Sequence, residues 1–297
     1  MKKQTAKISA WLLGLLLFCP LPAYAQKIIS PRSLESYSIP EFFQQVDRAE
    51  IIYLGETHNS PADHQAQLAI IQDIHRRNSK VAIAMEMFQR PYQNIINNYL
   101  AGKITETELV TQTEYNKRWG FPWENYAPIL RFAKNNKLPV LALNTPSEVT
   151  RKVARKGLES LTPGDREHIP PLSEIRTDNT EYRQMALNAF QQHQKDGFGS
   201  SSQFDNFFLA QVLWDETMAE KIAQFRKANP DYKVIVLAGQ GHIIYGYGIP
   251  SRVERRFNNI NNKKPIQSLI LLNPDQNLPI SPGKPIADFF WHSDVNK

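Results

Sequence analysis

Cysteine is almost absent from this chain: 297 residues contain one, Cys19. A disulfide framework is therefore excluded, and so is a cysteine-ligated zinc site. Charge of one sign is not in large excess. Thirty-five Lys and Arg face 29 Asp and Glu, a net charge of +6. No dense basic stripe with interleaved aromatics offers itself to nucleic acid. Beyond the first twenty or so residues no apolar run is long enough to span a bilayer, so a bundle of membrane helices is excluded. Signature loops are missing too. There is no Walker loop, no Gly-x-Gly-x-x-Gly for a nucleotide, and no Gly-x-Ser-x-Gly elbow for a nucleophilic serine. Aromatic residues are not scarce: 15 Phe, 11 Tyr and 5 Trp give the chain a core to bury, which a disordered segment lacks.

The first 25 residues read as a leader. Lys2, Lys3 and Lys7 precede an apolar stretch from Ile8 to Phe18. Pro20 and Pro22 end it, and Ala23-Tyr24-Ala25 presents small residues around a cut before Gln26. The apolar run falls short of the ~20 residues a spanning helix needs. Cleavage near Ala25 makes the protein an exported one, periplasmic or associated with the cell envelope. It leaves 32 basic and 29 acidic residues, a net charge of +3, and removes Cys19. Leu17-Phe18 is a poor lead-in for a lipidated Cys19.

Residues 26–297 read as an α/β domain. Ile51–Leu54, Val81–Met85, Val140–Leu143, Val234–Ala238 and Leu269–Leu272 are short aliphatic runs without strict alternation, the mark of strands covered on both faces. Helical patterns lie between them, over 62–77, 92–101, 105–113, 127–135, 147–157, 181–194 and 204–229. The alternation predicts a mostly parallel sheet flanked by helices. Two intervals, 91–136 and 146–230, are too long for simple crossovers, so a smaller all-helical subdomain is expected from one or both. The Gly/Ser-rich stretch 196–203 reads as a loop, and 274–285 as an irregular tail.

In such a sheet ligands bind beyond the carboxyl ends of the strands. The polar residues found there are Glu56 and His58, then Glu86, then Asn144, then Gln240 and His242. The first and fourth strands share the pattern apolar run, then Gly-x-x-His, ending at His58 and His242. The glycine allows a sharp turn, through positive φ or close packing. Glu86 ends a buried strand, so it requires a partner: an arginine, a histidine, a ligand or backbone amides. His64 lies near the start of the following helix, where it either serves a site or decorates the first turn. His75 is expected at the surface. Gln211 and Asp215 interrupt the apolar stripe of the long helix after Phe204 and are expected to bond a neighbouring helix rather than face the pocket.

Aromatics crowd Tyr115, Trp119, Phe121, Trp123 and Tyr126, with a second set at Tyr245 and Tyr247. They suit a flat apolar ligand, or equally an ordinary aromatic core. A tyrosine phenolate can hold haem iron. Covalent c-type attachment is excluded by the absence of Cys-x-x-Cys-His.

Taken in order, several segments resemble the ChaN-like haem-binding uptake family. They are Tyr53-Leu-Gly-Glu-Thr-His58 with His64, Glu86-Met-Phe88, Trp119-Gly-Phe-Pro-Trp123, Tyr126-Ala-Pro-Ile-Leu130 and Ala142-Leu-Asn-Thr-Pro146. Further on come Ala210-Gln-Val-Leu-Trp-Asp-Glu-Thr-Met-Ala219 and Leu237-Ala-Gly-Gln-Gly-His242 with Gly246-Tyr-Gly-Ile-Pro250. The resemblance runs from about residue 50 to 252. It implies a parallel-sheet domain with a small helical domain, and noncovalent haem bound on dimerisation, the haems face to face and iron held by tyrosine. Tyr126 and Tyr247 lie in matching motifs and are the expected iron ligands, with His58, His64 and His242 as further haem contacts. The wider superfamily includes Tiki-type metalloproteases and erythromycin-esterase-like hydrolases. By that likeness Glu56, His58, Glu86 and His242 line a shared pocket.

Two readings stay open. In the first the chain is an exported haem carrier in iron uptake or haem trafficking, a homodimer when loaded, with an outer-membrane or uptake-system partner. In the second it is a hydrolase in which Glu56, His58, Glu86 and His242 hold a divalent cation or activate water. The resemblance and the aromatic sets favour the first. The carboxylates and histidines at the strand ends favour the second.

Overall fold

A computed structural model describes residues 26–195, 204–257, 264–275 and 283–293. Residues 1–25 with Cys19, the Gly/Ser stretch 196–203 and most of 274–285 lie outside them.

The five expected strands lie side by side in one eight-stranded sheet and reach one of its edges. In chain order the strands are β1 (Gln26–Ile29), β2 (Ser36–Tyr37), β3 (Ile51–Glu56), β4 (Val81–Gln89), β5 (Val140–Asn144), β6 (Lys233–Gly239), β7 (Gln267–Leu272) and β8 (Phe289–Ser293), and their order across the sheet is β2-β1-β8-β7-β3-β6-β4-β5. The pairs from β8 to β5 are parallel, whereas β1 runs antiparallel to both β8 and β2. These three short strands at one edge are absent from the sequence reading. β2 has only two residues, β1 mixes Gln and Lys with its isoleucines, and β8 follows a Pro/Asn-rich stretch.

Period-two alternation divides the central strands between two cores. Ile52, Leu54, Ile83, Met85, Ile235 and Leu237 join one, and Ile51, Tyr53, Ala84, Val234, Val236 and Ala238 join the other. The first core is covered by α1 (Ile39–Val46), α2 (Pro61–Arg77), α3 (Gln93–Leu100), α4 (Glu106–Gln112), α5 (Tyr115–Arg118) and α6 (Ala127–Asn135). The interval 91–136 thus merges into the main core. The opposite face carries α9 (Phe204–Ala228) and α10 (Ile249–Phe257), which supply Met218, Ala219, Ile222, Ile249 and Val253.

The interval 146–230 also has small cores of its own. Val149 and Val153 of α7 (Ser147–Lys156) meet Leu161, Ile169, Ala210 and Leu213. Tyr182 and Ala186 of α8 (Thr180–Lys195) meet Phe204, Phe208 and Val212. This is the helical subdomain, and α9 belongs both to it and to the sheet. That double membership carries polar residues of α9 to the strand ends. No helix of the described residues is long and apolar enough to cross a membrane.

Candidate functional site: two histidine–carboxylate clusters meeting at a glycine

Glu56 is the last residue of β3 and continues the Ile52–Leu54 row. Its side chain therefore points to the face covered by α2 and α6, and it is 2 % exposed. Three donors hold it: Gln67 Nε2 at 2.5 Å from Oε2, Tyr126 Oη at 2.5 Å from Oε1, and His58 Nδ1 at 2.8 Å from Oε1. The turn that brings His58 back is fixed by Asp63. This buried carboxylate accepts the Thr57 N–H at 2.7 Å, the Ser60 hydroxyl at 2.8 Å and the Asn273 amide at 2.7 Å. Ser60 also caps α2, with Pro61 in its first turn. With Nδ1 on Glu56, His58 leaves Nε2 for other partners. Its half-buried ring lies edge-on to Trp119 at 4.7 Å and beside Phe121 at 5.0 Å.

Glu86 follows Ala84 on β4 and faces the other side, towards α9. Between Met85 and Gln89 the pairing of β4 with β5 shifts register, and the Asn144 amide holds the Glu86 carbonyl at 3.0 Å. Two of the partners considered for Glu86 are present, a backbone amide and a histidine. Gly239 N–H donates to Oε2 at 2.8 Å, and His242 Nε2 stands 3.4 Å from Oε1. The other nitrogen of His242 lies 2.7 Å from Asp215 Oδ1, and the Gln211 amide approaches it at 3.1 Å. Asp215 in turn accepts the Tyr182 hydroxyl at 2.5 Å.

The two clusters meet over Gly239, which pairs with Glu56 across β3 and β6. A Cβ there would lie 2.9 Å from His58 Cε1, 3.0 Å from His58 Nε2 and 3.8 Å from Glu86 Oε2. The glycine is present for this close approach: its φ is −57°, so positive φ is not the reason. The buried charges stabilise one another. Burial alone would raise the Glu86 pKa, but the His242 charge and bonds from His242 and Gly239 pull it well down. Burial alone would lower His242, but Glu86 and Asp215 push it up to about 10. His58 is raised as well: burial opposes its charge, and its bond to Glu56 and the Glu86 charge prevail.

Several expectations need correction. Tyr126 is fully buried and its phenol is bound to Glu56, so it orients the cluster and presents no oxygen to iron. Burial and the Glu56 charge further disfavour its phenolate. His64 is 4 % exposed, donates Nε2–H to the His58 carbonyl at 3.0 Å and has Nδ1 3.2 Å from Gln67 Oε1. It braces the turn and offers no free nitrogen to haem. Among the described residues no group of three or more His, Cys, Asp or Glu is placed to hold a metal ion. Glu56, His58, Glu86 and His242 form successive pairs instead of converging on a point. His75 is half-buried against Phe132. Gln211 reaches the site, and Asp215 does both things weighed for it, bonding α8 through Tyr182 and holding His242.

Tyr247 differs from Tyr126. It is half-buried, stacks on Tyr245 at 5.3 Å and has Lys284 Nζ 4.0 Å from its ring centroid. Beside it opens a cleft of about 450 Å³ lined by Tyr245, Pro250, Leu269, Lys284 and Ala287 among others. Tyr182, the donor to Asp215, lies 6.4 Å from Tyr247 ring to ring, which puts the cleft's aromatic stack near the His242 cluster.

Residues 42–253 match the family model described as haem-binding uptake, Tiki superfamily, ChaN. The chain belongs to this family. Its fold is that of a ChaN structure from Campylobacter jejuni solved for cofacial haem binding, with a TM-score of 0.69 and 18 % identity over 90 % of this chain and 96 % of that one. An erythromycin esterase EreC structure aligns at a TM-score of 0.46 and 16 % identity, over 89 % of this chain and 82 % of that one. Among curated proteins, RETICULATA-RELATED 5 of Arabidopsis thaliana, a chloroplast protein, is 27 % identical over 84 % of this chain. The chain spans 35 % of that relative's length.

Proposed function

We propose that the protein is an exported carrier that binds haem noncovalently between two copies of itself, in haem or iron uptake or trafficking. The observation that carries this reading is the family match across 42–253. The likeness to a protein that binds haem cofacially supports a dimer with haems face to face. The chain's own residues fit such a ligand at Tyr247 and not at Tyr126. Tyr247 would hold the iron through its phenolate, iron supplying the charge that offsets burial and the Glu181 carboxylate, which raise its pKa, and Lys284 over its ring would favour a haem carboxylate. Tyr245, Pro250 and Leu269 would cover the porphyrin face. The only cysteine, Cys19, lies in the leader, which supports noncovalent binding.

A haemin titration of residues 26–297 tests the reading, with the Soret band and the oligomeric state followed together. Saturable binding with dimer formation is expected; a linear, unsaturable response in a chain that stays monomeric would overturn it. Export is tested separately by fusing residues 1–25 to a reporter active only outside the cytoplasm. A silent reporter would remove the leader from the proposal and leave haem binding standing.

One observation favours a second reading. His58 and His242 are each oriented by a carboxylate, and Glu86 lies between them. That is an arrangement for general acid–base chemistry: His58 Nε2 would take a proton from water while the positive charge of His242 steadies the anion formed. Activated ester hydrolysis that vanishes in His58→Ala would support it. Equal background rates in the two proteins would remove it.

A further inference from the structure

A second cavity lies beside the first on α10. It holds about 190 Å³ and is bounded by Arg176, Asp178, Asn179, Ser251, Arg252 and Arg255. Neither reading above uses these residues.

The cavity is built on a buried carboxylate. Glu216 of α9 is fully buried, and its Oε2 accepts bonds from Arg255 and Arg256 at 2.7 Å each. Its Oε1 takes the Arg176 backbone N–H at 3.2 Å and lies 3.3 Å from Arg252 Nε. Arg252 is 4 % exposed and is pinned further by the Tyr247, Gly248 and Arg176 carbonyls. Arg255 also bonds the Glu174 carbonyl at 2.9 Å. These guanidinium planes are fixed before any ligand arrives, so little ordering entropy is lost on binding.

Charge and donors remain over. Around the cavity Arg176, Arg252, Arg255 and Arg256 face Glu174, Asp178 and Glu216, four positive groups against three negative. Asp178, the one carboxylate in the lining, is bound by Arg176 at 2.8 Å and held below its usual range by that bond. A guanidinium has five N–H donors. The side-chain bonds of Arg176 and Arg255 use only Nη2, so Nε and Nη1 of both have no hydrogen-bond partner among the described residues. The Asn179 oxygen accepts from the Tyr182 N–H, which leaves its amide nitrogen as a further donor.

We propose that this cavity is an oxyanion-binding site that takes a carboxylate or phosphate through Arg176, Arg255 and Asn179, with buried Arg252 behind them. Ser251 lines both this cavity and the cleft beside Tyr247, whose wall is part apolar and part polar. A ligand with a flat apolar body and a carboxylate arm reaches both. In that form the proposal rests on the haem reading, and the anion would be a haem carboxylate. The other source is free inorganic phosphate.

The test uses the full chain and two probes. Inorganic phosphate should raise the melting temperature saturably. The Arg176→Gln/Arg255→Gln variant should need at least tenfold more phosphate, while Arg151→Gln/Arg155→Gln, the same charge change on exposed positions of α7, should behave as wild type. Arg176→Gln alone is the fallback, because its side chain is half exposed and has only Asp178 as a side-chain partner. Equal phosphate responses in all variants, or none in wild type, would overturn the site. Haemin and its dimethyl ester identify the source. If the ester binds at least tenfold more weakly than haemin in wild type but not in the double variant, the anion is a haem carboxylate. If both bind equally in wild type, it is free phosphate. Failure of haemin to bind at all would sink the haem reading and leave the phosphate result to decide the site.

Discussion

Asp215 and His242 are 27 residues apart in sequence, yet Oδ1 and Nδ1 lie 2.7 Å apart with both side chains buried. Asp215 comes from a helix that serves both the sheet and the helical subdomain, and His242 from the turn after β6. The pair therefore ties the subdomain to the strand ends. Asp215→Asn keeps the shape and removes the charge that helps hold His242 protonated. The expected outcome is a fall in the His242 pKa from about 10, read from its ring resonances as a function of pH. A titration curve unchanged from wild type would assign the elevation to Glu86 alone.

Glu86 is the group on which both clusters depend. It bonds the Gly239 amide and faces His242, and its charge acts on His58. Glu86→Ala leaves a buried imidazolium without one of its counter-charges, and breaking such a pair costs about 3–5 kcal/mol. A melting temperature and ligand affinity equal to wild type would contradict this.

Two glycines set how closely the turns approach. A Cβ on Gly248 would lie 3.0 Å from Asp215 Oδ1 and would overlap the His242 carbonyl oxygen, a backbone atom that cannot rotate away. Gly248→Ala is expected to destabilise by at least the ~1–3 kcal/mol typical of overpacking. A Cβ on Gly239 meets the His58 ring, which is half-buried and able to shift, so Gly239→Ala should alter His58 titration more than stability. Gly241, with open space around its Cβ position, is the control and should be neutral. Denaturant unfolding of the three variants checks the order.

Much of this was legible in the sequence because the patterns were local. Apolar runs of four or five residues gave the central strands, and the repeated Gly-x-x-His gave the two turns. What stayed hidden depended on direction. Glu56 and Glu86 both sit at strand ends, but their places in the period-two rows send them to opposite faces. The expected single pocket is therefore two clusters joined at Gly239. Tyr126 carried a motif but no sign that its hydroxyl would be consumed by Glu56, 70 residues away. Asp215 did show a signal: a carboxylate inside an apolar helical stripe requires a buried partner. Gln67, three residues after His64, was a similar clue.

The tyrosines separate the proposed haem interface from the buried network. Tyr247→Phe removes the phenol beside the open cleft and should weaken haemin binding at least tenfold, with loss of the tyrosinate features of the ferric spectrum. Tyr126→Phe removes one of three donors to Glu56, a loss of about 1.5–3 kcal/mol for a bond to a charged group. It should lower stability while haemin affinity stays within about threefold, a difference below 1 kcal/mol. The reverse pattern would move the iron ligand to Tyr126 and require that residue to leave its buried position.

Glu86 and His242 lose their mutual support at opposite ends of the pH scale. Burial would raise Glu86, yet the His242 charge holds it at about 2 against 4.5 when unpaired. Its contribution is full above pH 4.5 and disappears as pH falls through about 2. Burial would lower His242, yet Glu86 and Asp215 hold it at about 10 against 6.5. Its contribution is full below pH 6.5 and disappears as pH rises through about 10. The pair therefore stabilises fully only between pH 4.5 and 6.5. The melting temperature should fall as pH rises from 6.5 to 10, and the fall should be shallower in Glu86→Gln, where His242 has already lost its largest favourable charge. Parallel slopes for wild type and Glu86→Gln would show that another group governs alkaline stability and that the buried pair does not.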